Sequence, residues 1–365
     1  KSFYKLLQID PGFEPENMLT MEYRLPRTRY GQSEAQWNFH RQVVERIEEV
    51  PGVKSAGLVR RVPLSWNGGV PTAVVLPDRE RPQPGSEPTV FFNTATPGYF
   101  ETVGIPLLRG RLFNEQDAGD NPVVFLINQT MAHRFWPNED PIGKQVLLMD
   151  GNLTGAIIGI VGDNKHNSLT EKQAAWMYSS YGHMPGIFAT IVVRTTVEPM
   201  SLSNAIREAV WKVDPDQPMW SIRTVERMMD AHLARPRFMM ILMGVFAALA
   251  MVLAAVGVYG VVSHAVSQGI REIGIRMVLG AQRRDVLRMV IAQGMKPVVT
   301  GVALGLSAAF GLTRWMNTLL YEVRPFDPAT YVVIALLLTA MALLACYLPA
   351  RRAAKSDPMN AIRHE

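Results

Sequence analysis

The sequence contains very little cysteine and none of the common catalytic patterns. Its single cysteine, Cys346, excludes an intrachain disulfide and a cysteine-rich zinc site. There is no zinc-binding histidine-glutamate pattern, no serine nucleophile elbow and no phosphate-binding loop. Gly143-Lys144 lacks a glycine five positions earlier and is followed by Gln145. These absences predict a chain that is not an enzyme, does not hydrolyse ATP by itself and uses no cofactor or metal.

Charge is scarce in the last third of the chain. Residues 238–365 carry 12 basic and 6 acidic side chains of the chain's 37 and 32, which leaves 25 and 26 for residues 1–237. The net charge of +5 therefore comes from the apolar part, whereas the polar part is nearly neutral. A nucleic-acid-binding protein would place its basic excess on a polar surface, so nucleic acid is excluded as a partner.

Three long runs lack charged side chains and predict three membrane-spanning helices. The runs are residues 238–263, 297–313 and 328–350. The first and third exceed the roughly 20 residues that cross a bilayer as a helix. The second is shorter, but Lys296 at its start can extend its amine to the interface. The sequence thus predicts a helical permease domain over 238–350, embedded in a lipid bilayer.

Basic residues predict how these spans are oriented. Most of them lie between the first two spans or in the tail 351–365, and cytoplasmic loops are rich in such residues. This bias places the C-terminus in the cytoplasm and residues 1–237 outside it. A domain of that size needs an export signal, so we expect an upstream membrane helix and treat the chain as one half of something longer.

The predicted extracytoplasmic domain, residues 1–224, contains a rough internal repeat. Each copy, 18–60 and 189–223, reads as strand, helix, proline-containing turn and strand. In the first copy the helix opens with Ser33-Glu34-Ala35-Gln36, which is a capping-box pattern. Split β-α-β units of this kind build an antiparallel sheet with helices on one face, so the predicted class is α+β.

A region of different character separates the two copies. Residues 71–181 contain many turn residues and several short predicted strands, at 90–93, 123–127, 144–149 and 156–161, which predicts a mostly β insertion. After the second copy, residues 225–237 form a predicted stalk helix that leads into the first span. Pro236 is the expected joint and kink of this stalk.

Some polar residues of the insertion invite a functional reading. Asp163, His166 and His183 can be imagined as a metal or acid-base cluster, but surface loop residues are the favoured interpretation. The glycine-containing run 159–163 resembles a nucleotide-binding turn only weakly and is better explained as a tight turn. Asn128 and Asn152 begin formal glycosylation sequons.

Two features of the membrane part predict contacts. Gly301 and Gly305 form a small-residue pair that lets two helices approach closely, and we interpret it as helix packing. No acidic or basic residue lies within a span, which disfavours a proton or ion pathway.

The most specific stretch is the basic segment between the first two spans. Gly280 is placed to end one helix before the next begins, which predicts a protruding corner suited to docking a protein. A flat amphipathic anchor on an anionic membrane is the alternative. The corner comprises Arg271, Glu272, Gly274, Arg276, Gly280, Arg283 and Arg284.

Four blocks follow one another along the chain in the order typical of one protein family: NTATPGYFETVGIPLLRGRLF, INQTMAHRFWPNEDPIGKQV, REIGIRMVLGAQRRDVLRMVI and LPARRAAKSDPMNAIRHE. With these blocks the whole chain resembles the MacB/FtsX-like permeases of ABC transporters, particularly bacterial permeases with a duplicated unit. The resemblance implies a bacterial inner-membrane permease that transmits the stroke of a separate cytoplasmic ATPase to its outer domain and so drives export.

The resemblance also implies partners. They are a cytoplasmic ABC ATPase docked at the corner, a second permease half or homodimer partner, and a periplasmic adaptor. An alternative within the same family is a membrane regulator that activates an envelope hydrolase or acts in lipoprotein release.

Overall fold

A computed structural model describes residues 10–65, 69–79, 83, 85–148, 153–168, 171–278, 282–315 and 328–355. The chain divides after Arg237 into two compact units. We call Phe3–Arg237 the outer unit and Phe238–Glu365 the membrane unit, and describe each separately. The α+β class predicted for the first part, followed by apolar helices, is confirmed.

Eleven strands and four α-helices make up the described outer unit before its last helix. The strands are β1 (Met18–Arg24), β2 (Val53–Val59), β3 (Val70–Val75), β4 (Thr89–Ala95), β5 (Leu107–Gly110), β6 (Val124–Asn128), β7 (Gln145–Leu148), β8 (Leu153–Val161), β9 (Trp176–Ser180), β10 (Phe188–Thr195) and β11 (Met219–Thr224). The helices are α1 (Ser33–Glu48), α2 (Tyr99–Val103), α3 (Gln129–Phe135) and α4 (Ser203–Val213), with a 3-10 turn at Pro199–Leu202.

The two β-α-β copies combine into one antiparallel sheet with the strand order β11-β1-β10-β2. Helices α1 and α4 both cover the same face, as the repeat predicted. Their apolar stripes repeat every three or four residues, which places them against the inward-pointing side chains of alternate strand positions. The buried side chains of this layer include Leu19, Met21, Phe39, Val43, Ile47, Leu58, Ile191, Ile206 and Val210.

The capping box predicted at the start of α1 does not form. Ser33 is the first helical residue, and the residue before it, Gln32, makes no capping bond with its side chain. The Gln36 side chain turns back instead, and its Nε2 donates to the carbonyl oxygen of Tyr30 at 2.8 Å. The Gln36 backbone N–H, which a capping Ser33 hydroxyl would accept from, donates to the Gln32 carbonyl at 3.1 Å.

The inserted strands are joined to the four-stranded sheet. Strands β3, β7, β8, β6, β9 and β4 pair in that order, and β4 pairs again with β3, so six strands close into a hydrogen-bonded ring. The ring continues from the four-stranded sheet through β2 and β4, where Val59 pairs with Ala95. Its interior holds a separate core that includes Phe92, Phe125 and Val146.

The membrane unit contains long apolar helices. Helix α5 runs from Val225 to Val278 and contains the boundary at Arg237, α6 runs from Arg283 to Trp315, and α7 from Pro328 to Lys355. By length and composition, three segments are long and apolar enough to cross a membrane: Val225–Gln268, Arg284–Leu312 and Tyr331–Arg351. The first and second helices are longer than the spans predicted for them, because polar turns extend both.

Candidate functional site

The start of helix α5 is bonded to the loop that precedes β1. The Asn17 backbone N–H donates to Oε1 of Glu226 at 2.9 Å, and the Thr20 hydroxyl donates to the Met228 sulfur at 3.7 Å. Val225 and Met228 are buried in the core on the face of the four-stranded sheet opposite α1 and α4. The first turn of α5 is therefore part of the outer unit's packing, and we call this contact the α5 anchor.

A buried arginine supports the same loop. Arg194, in β10, donates from Nε to the Thr102 carbonyl at 2.8 Å, from Nη1 to the Glu16 carbonyl at 3.1 Å and from Nη2 to the Glu14 carbonyl at 3.0 Å. It thereby ties β10 to α2 and to residues 14–16. A buried guanidinium is tolerated only where carbonyls or carboxylates surround it. The sequence analysis did not identify Arg194. An arginine inside an apolar strand indicates that its guanidinium needs hydrogen-bond acceptors, but the sequence does not say which residues supply them.

The predicted docking corner lies between α5 and α6. The Gln282 backbone N–H donates to Oδ2 of Asp285 at 3.0 Å, and the Asp285 N–H donates to the Gln282 carbonyl at 2.8 Å, so these two residues cap the start of α6. Arg284 is exposed.

Most of the other corner residues are only partly described. Arg271, Glu272, Gly274 and Arg276 belong to the backbone of α5 and Arg283 to that of α6. Their side chains, and all of Gly280, lie outside the described residues. The docking role of this corner therefore stays a prediction.

Pro236, the predicted stalk joint, lies within the helical backbone of α5. The helix does not end there: residues 225–237 and the first span belong to one element. The ring of Pro236 is outside the described part of the chain, so the predicted kink is untested.

Three glycines of α6 differ in their surroundings within this chain. A Cβ built on Gly301 or Gly305 would meet nothing within 4 Å, and both glycines line a cavity of about 390 Å³ beside α7. A Cβ built on Gly294 would lie 2.8 Å from Cγ2 of Val262 and 3.0 Å from the Cys346 sulfur. Among the described glycines of the membrane unit, Gly294 is therefore the one in close contact with other helices, and packing by Gly301 and Gly305 stays a prediction. Its environment depends on α5 and α7, which no local pattern on α6 reveals.

The two candidate histidines, His166 and His183, have different surroundings. His166 is buried, not in a surface loop: its ring stacks on Trp176 with centroids 3.3 Å apart, and its Nε2 lies 2.9 Å from the Tyr178 hydroxyl. Burial lowers the pKa of His166 to about 3. His183 is bonded elsewhere, to the Asn121 carbonyl at 3.1 Å, and burial lowers its pKa as well.

Asp163 does not complete a metal cluster. Its Oδ1 accepts from the Asn128 amide at 2.6 Å and from the Thr130 N–H at 2.9 Å, and its Oδ2 accepts from the Thr130 hydroxyl at 2.7 Å. These bonds hold the start of α3. Within the residues that the structure describes, no group of three or more metal-binding side chains occurs.

The remaining candidates of the insertion also have structural roles. Gly159 lies within β8 rather than in a turn, and a Cβ there would approach the Arg111 carbonyl oxygen to 2.5 Å, so the glycine makes room for the neighbouring segment. The first sequon asparagine, Asn128, is fully buried and caps α3. It is therefore not an accessible glycosylation site. Asn152 lies outside the described residues.

Comparison with known families gives two matches that divide the chain. Residues 6–210 match the MacB-like periplasmic core domain, and residues 244–358 match the FtsX-like permease C-terminal family. The first match covers more than half of the sequence.

Individual relatives are distant and longer than this chain. The chain is 26% identical over 280 residues to a macrolide export ATP-binding/permease protein MacB of Bartonella henselae, a match of 73% of this chain and 41% of the relative. It is 25% identical over 285 residues to a probable syringafactin export ATP-binding/permease protein of Pseudomonas syringae pv. tomato, which covers 75% and 42%. The chain thus spans less than half the length of these relatives.

A solved structure is also similar. The periplasmic region of MacB from Actinobacillus actinomycetemcomitans is 16% identical, with a TM-score of 0.42, and the match covers 62% of this chain and 97% of that one.

Proposed function

This chain belongs to the family of the MacB-like periplasmic core domain, here joined to an FtsX-like permease domain, and from that membership we propose that it is the permease part of an ABC exporter. In this proposal it transmits the stroke of a cytoplasmic ATPase to an extracytoplasmic domain. The chain itself is the non-catalytic membrane part, and ATP hydrolysis belongs to the partner ATPase.

The observation that carries this proposal is the course of helix α5. It begins in the core of the outer unit at Val225 and Met228, and the same helix contains the first apolar span. A helix resists stretching and bending because backbone hydrogen bonds join its successive turns, and Pro236 is the one residue of α5 without an N–H to donate. In this proposal, a displacement of one end of such a helix is transmitted to the other end.

The proposed location follows from the distribution of charge. We propose the bacterial inner membrane, with residues 1–237 extracytoplasmic and the tail 351–365 in the cytoplasm, because most basic residues of the membrane unit flank the α5–α6 corner or lie in that tail. The corner is then on the ATPase side. A second permease half or homodimer partner, and a periplasmic adaptor, complete the proposed assembly.

Transmission can be tested by weakening helix α5 at two exposed positions, so that no buried side chain is removed. Asp230 and Ala234 are exposed and lie one helical turn apart in the stalk. Replacing both with glycine in the full-length transporter lowers local helix stability by about 1 kcal/mol at Ala234 and by less at Asp230, because aspartate is itself a poor helix former. We expect ATP hydrolysis to persist and the nucleotide-dependent change in hydrogen exchange of the outer unit to disappear.

A matched control carries the same two glycines on α1, at the exposed pair Arg41 and Glu45. This control should retain the nucleotide response. A second arm tests docking: Arg276→Glu should abolish the response together with stimulated hydrolysis, whereas Arg324→Glu, between the second and third spans, should not. An outer unit that still responds to nucleotide in the double variant Asp230→Gly, Ala234→Gly contradicts transmission through α5.

A further inference from the structure

The face of the four-stranded sheet opposite α1 and α4 is covered over only part of its area. Around Met18 and Val192 it packs against α2 and the start of α5. Towards the other end of the strands, no described helix packs on it. Cross-strand pairing places Trp220, Glu22 and Thr190 in one row and Arg24 and Phe188 in the next, so these side chains share that face.

The uncovered area forms a cavity of about 370 Å³. Its walls include Arg60 and Arg61, which follow β2, and Arg223 of β11. A second cavity of about 680 Å³ adjoins it, since Arg60 and Phe188 line both. Volumes of this size suit a small organic molecule.

Two aromatic side chains line this cavity and remain exposed to solvent. Phe188 is 44% exposed and Trp220 is 42% exposed. The guanidinium of Arg24 lies 4.8 Å from the centre of the Phe188 ring. Aromatic rings held at the rim of a concave polar site offer flat apolar contact to a ligand.

The charge of the cavity is one-sided. Four arginines line the two cavities, Arg27, Arg60, Arg61 and Arg223, whereas Glu22 is the one carboxylate among the described lining residues. Glu22 is already 3.4 Å from Arg223. Burial lowers the pKa of Arg61, and the neighbouring charge of Arg60 lowers it further, so the two guanidinium groups also repel each other. An anion would relieve this repulsion.

We propose that this cavity is a binding site for a small organic anion that carries an apolar ring or chain. The guanidinium groups of Arg60 and Arg223 receive the carboxylate or phosphate, and Trp220 and Phe188 contact the apolar part. Planar guanidinium donors match the geometry of such oxyanions. Binding at this site does not require nucleotide, so it stands or falls independently of transmission through α5.

The test uses the full chain in lipid nanodiscs and 2-naphthoate as the probe, with the neutral 2-naphthamide as its isostere. Calorimetric titration, corrected with empty nanodiscs, should give one saturable site per chain for 2-naphthoate and at least fivefold weaker binding of the amide. Trp220→Ala and Arg60→Gln should each weaken 2-naphthoate at least fivefold.

The chain provides a matched control on α4. Trp211 is 41% exposed, and the guanidinium of Arg207 lies 5.9 Å from its ring centre, so this pair has similar exposure and chemistry without the cavity. Trp211→Ala and Arg207→Gln should change affinity less than twofold. Equal losses of 2-naphthoate affinity in the cavity variants and in the α4 control variants would overturn the proposal. So would the absence of saturable binding above that of empty nanodiscs.

Circular dichroism of each variant establishes that it is folded. If Arg60→Gln is not folded, Trp220→Ala, whose side chain lies at the surface, decides the question alone. Soluble dihexanoyl phosphatidylglycerol as a competitor then separates two sources of the anion. Displacement of 2-naphthoate assigns the site to a lipid headgroup with its chains, and failure to displace it assigns the site to a soluble organic acid.

Discussion

The outer and membrane units differ in where they place their large apolar side chains. The outer unit buries them in three clusters and leaves few large ones exposed, notably Phe188, Trp211 and Trp220. The membrane unit has one small cluster around Val262, Val290 and Cys346, and exposes leucine, valine and phenylalanine along its helices. Water drives the packing of the first, whereas a bilayer surrounds the second and leaves close helix contact as the main source of its stability.

This difference predicts which single substitutions should most reduce the stability of each unit. In the outer unit the sensitive groups are buried polar side chains that hold loops and strands together. In the membrane unit they are small residues at which helices touch. Four substitutions separate these mechanisms, in decreasing order of expected effect.

The largest effect is expected at Arg194. Arg194→Met keeps the volume but leaves the carbonyls of Thr102, Glu14 and Glu16 without their buried donor, at a cost of about 3 kcal/mol in the free energy of unfolding. Hydrogen exchange of the full chain in detergent should rise in β10 and α2 and stay unchanged in α6. Arg46→Ala, which removes an exposed pair with Glu49, is the control and should cost less than about 0.5 kcal/mol. A similarly small effect at Arg194 would contradict the role given to it.

The second effect is loss of outer-unit stability in acid. Burial lowers the pKa of His40 to about 4 and that of His166 to about 3, against 6.5 in an unfolded chain. Between these values and 6.5 the unfolded state binds more protons, so stability is full above pH 6.5 and falls as the pH decreases. Each histidine should cost about 2 kcal/mol between pH 7 and pH 5.

The measurement is thermal unfolding of the full chain as a function of pH. His40→Phe removes one titrating group and should flatten the acid limb, although it also loses the contacts with Tyr23 and Gly186 and lowers stability at pH 7. His133→Gln, on the exposed surface of α3, should leave the slope unchanged. An acid limb of unaltered slope in His40→Phe would exclude the buried ring as its source.

The third effect tests helix contact in the membrane unit. Gly294→Ala places a methyl group against Val262 and Cys346, and overpacking of this kind costs about 1 to 3 kcal/mol. Gly301→Ala meets no atom of the chain within 4 Å and should be neutral or stabilising by up to about 1 kcal/mol. Thermal unfolding in detergent compares the two.

The same pair of variants reports on a second copy. If Gly301 and Gly305 pack against another chain, Gly301→Ala should weaken association, measured by crosslinking in membranes, without changing the stability of the monomer. Equal destabilisation by both alanines would show that the two glycines have similar surroundings, contrary to the structure.

The smallest effect is expected at the α5 anchor. Glu226→Ala removes the acceptor of the Asn17 N–H and should cost about 1 kcal/mol, because the bond is solvent-exposed. Hydrogen exchange should increase in the first turn of α5 but not in the second half of that helix. Glu208→Ala, an exposed carboxylate of α4, controls for loss of charge, and an equal response in both would show that the anchor contributes nothing.

Local patterns predicted the elements that bury one face. The apolar stripe of α1 repeats every three or four residues, and the order strand, helix, proline-containing turn and strand occurs twice, so the sequence identified both β-α-β copies and the sheet they build. In the insertion, strands near β4, β6, β7 and β8 were predicted, whereas β3, β5 and β9 were not. Short strands that are buried on both faces lack the alternation on which such predictions depend.

The sequence by itself determined the division at Arg237, the apolar lengths of three helices and the α+β class of the outer part, because charge and hydrophobic period are properties of neighbouring residues. Only the tertiary structure decided that six strands close into a ring, that His166 stacks on Trp176 and that Gly294 rather than Gly301 receives a neighbouring helix. It alone brought Arg60, Trp220 and Phe188 to one cavity. Register and long-range pairing set these contacts, and a shift of one residue in a strand would turn every such side chain to the other face.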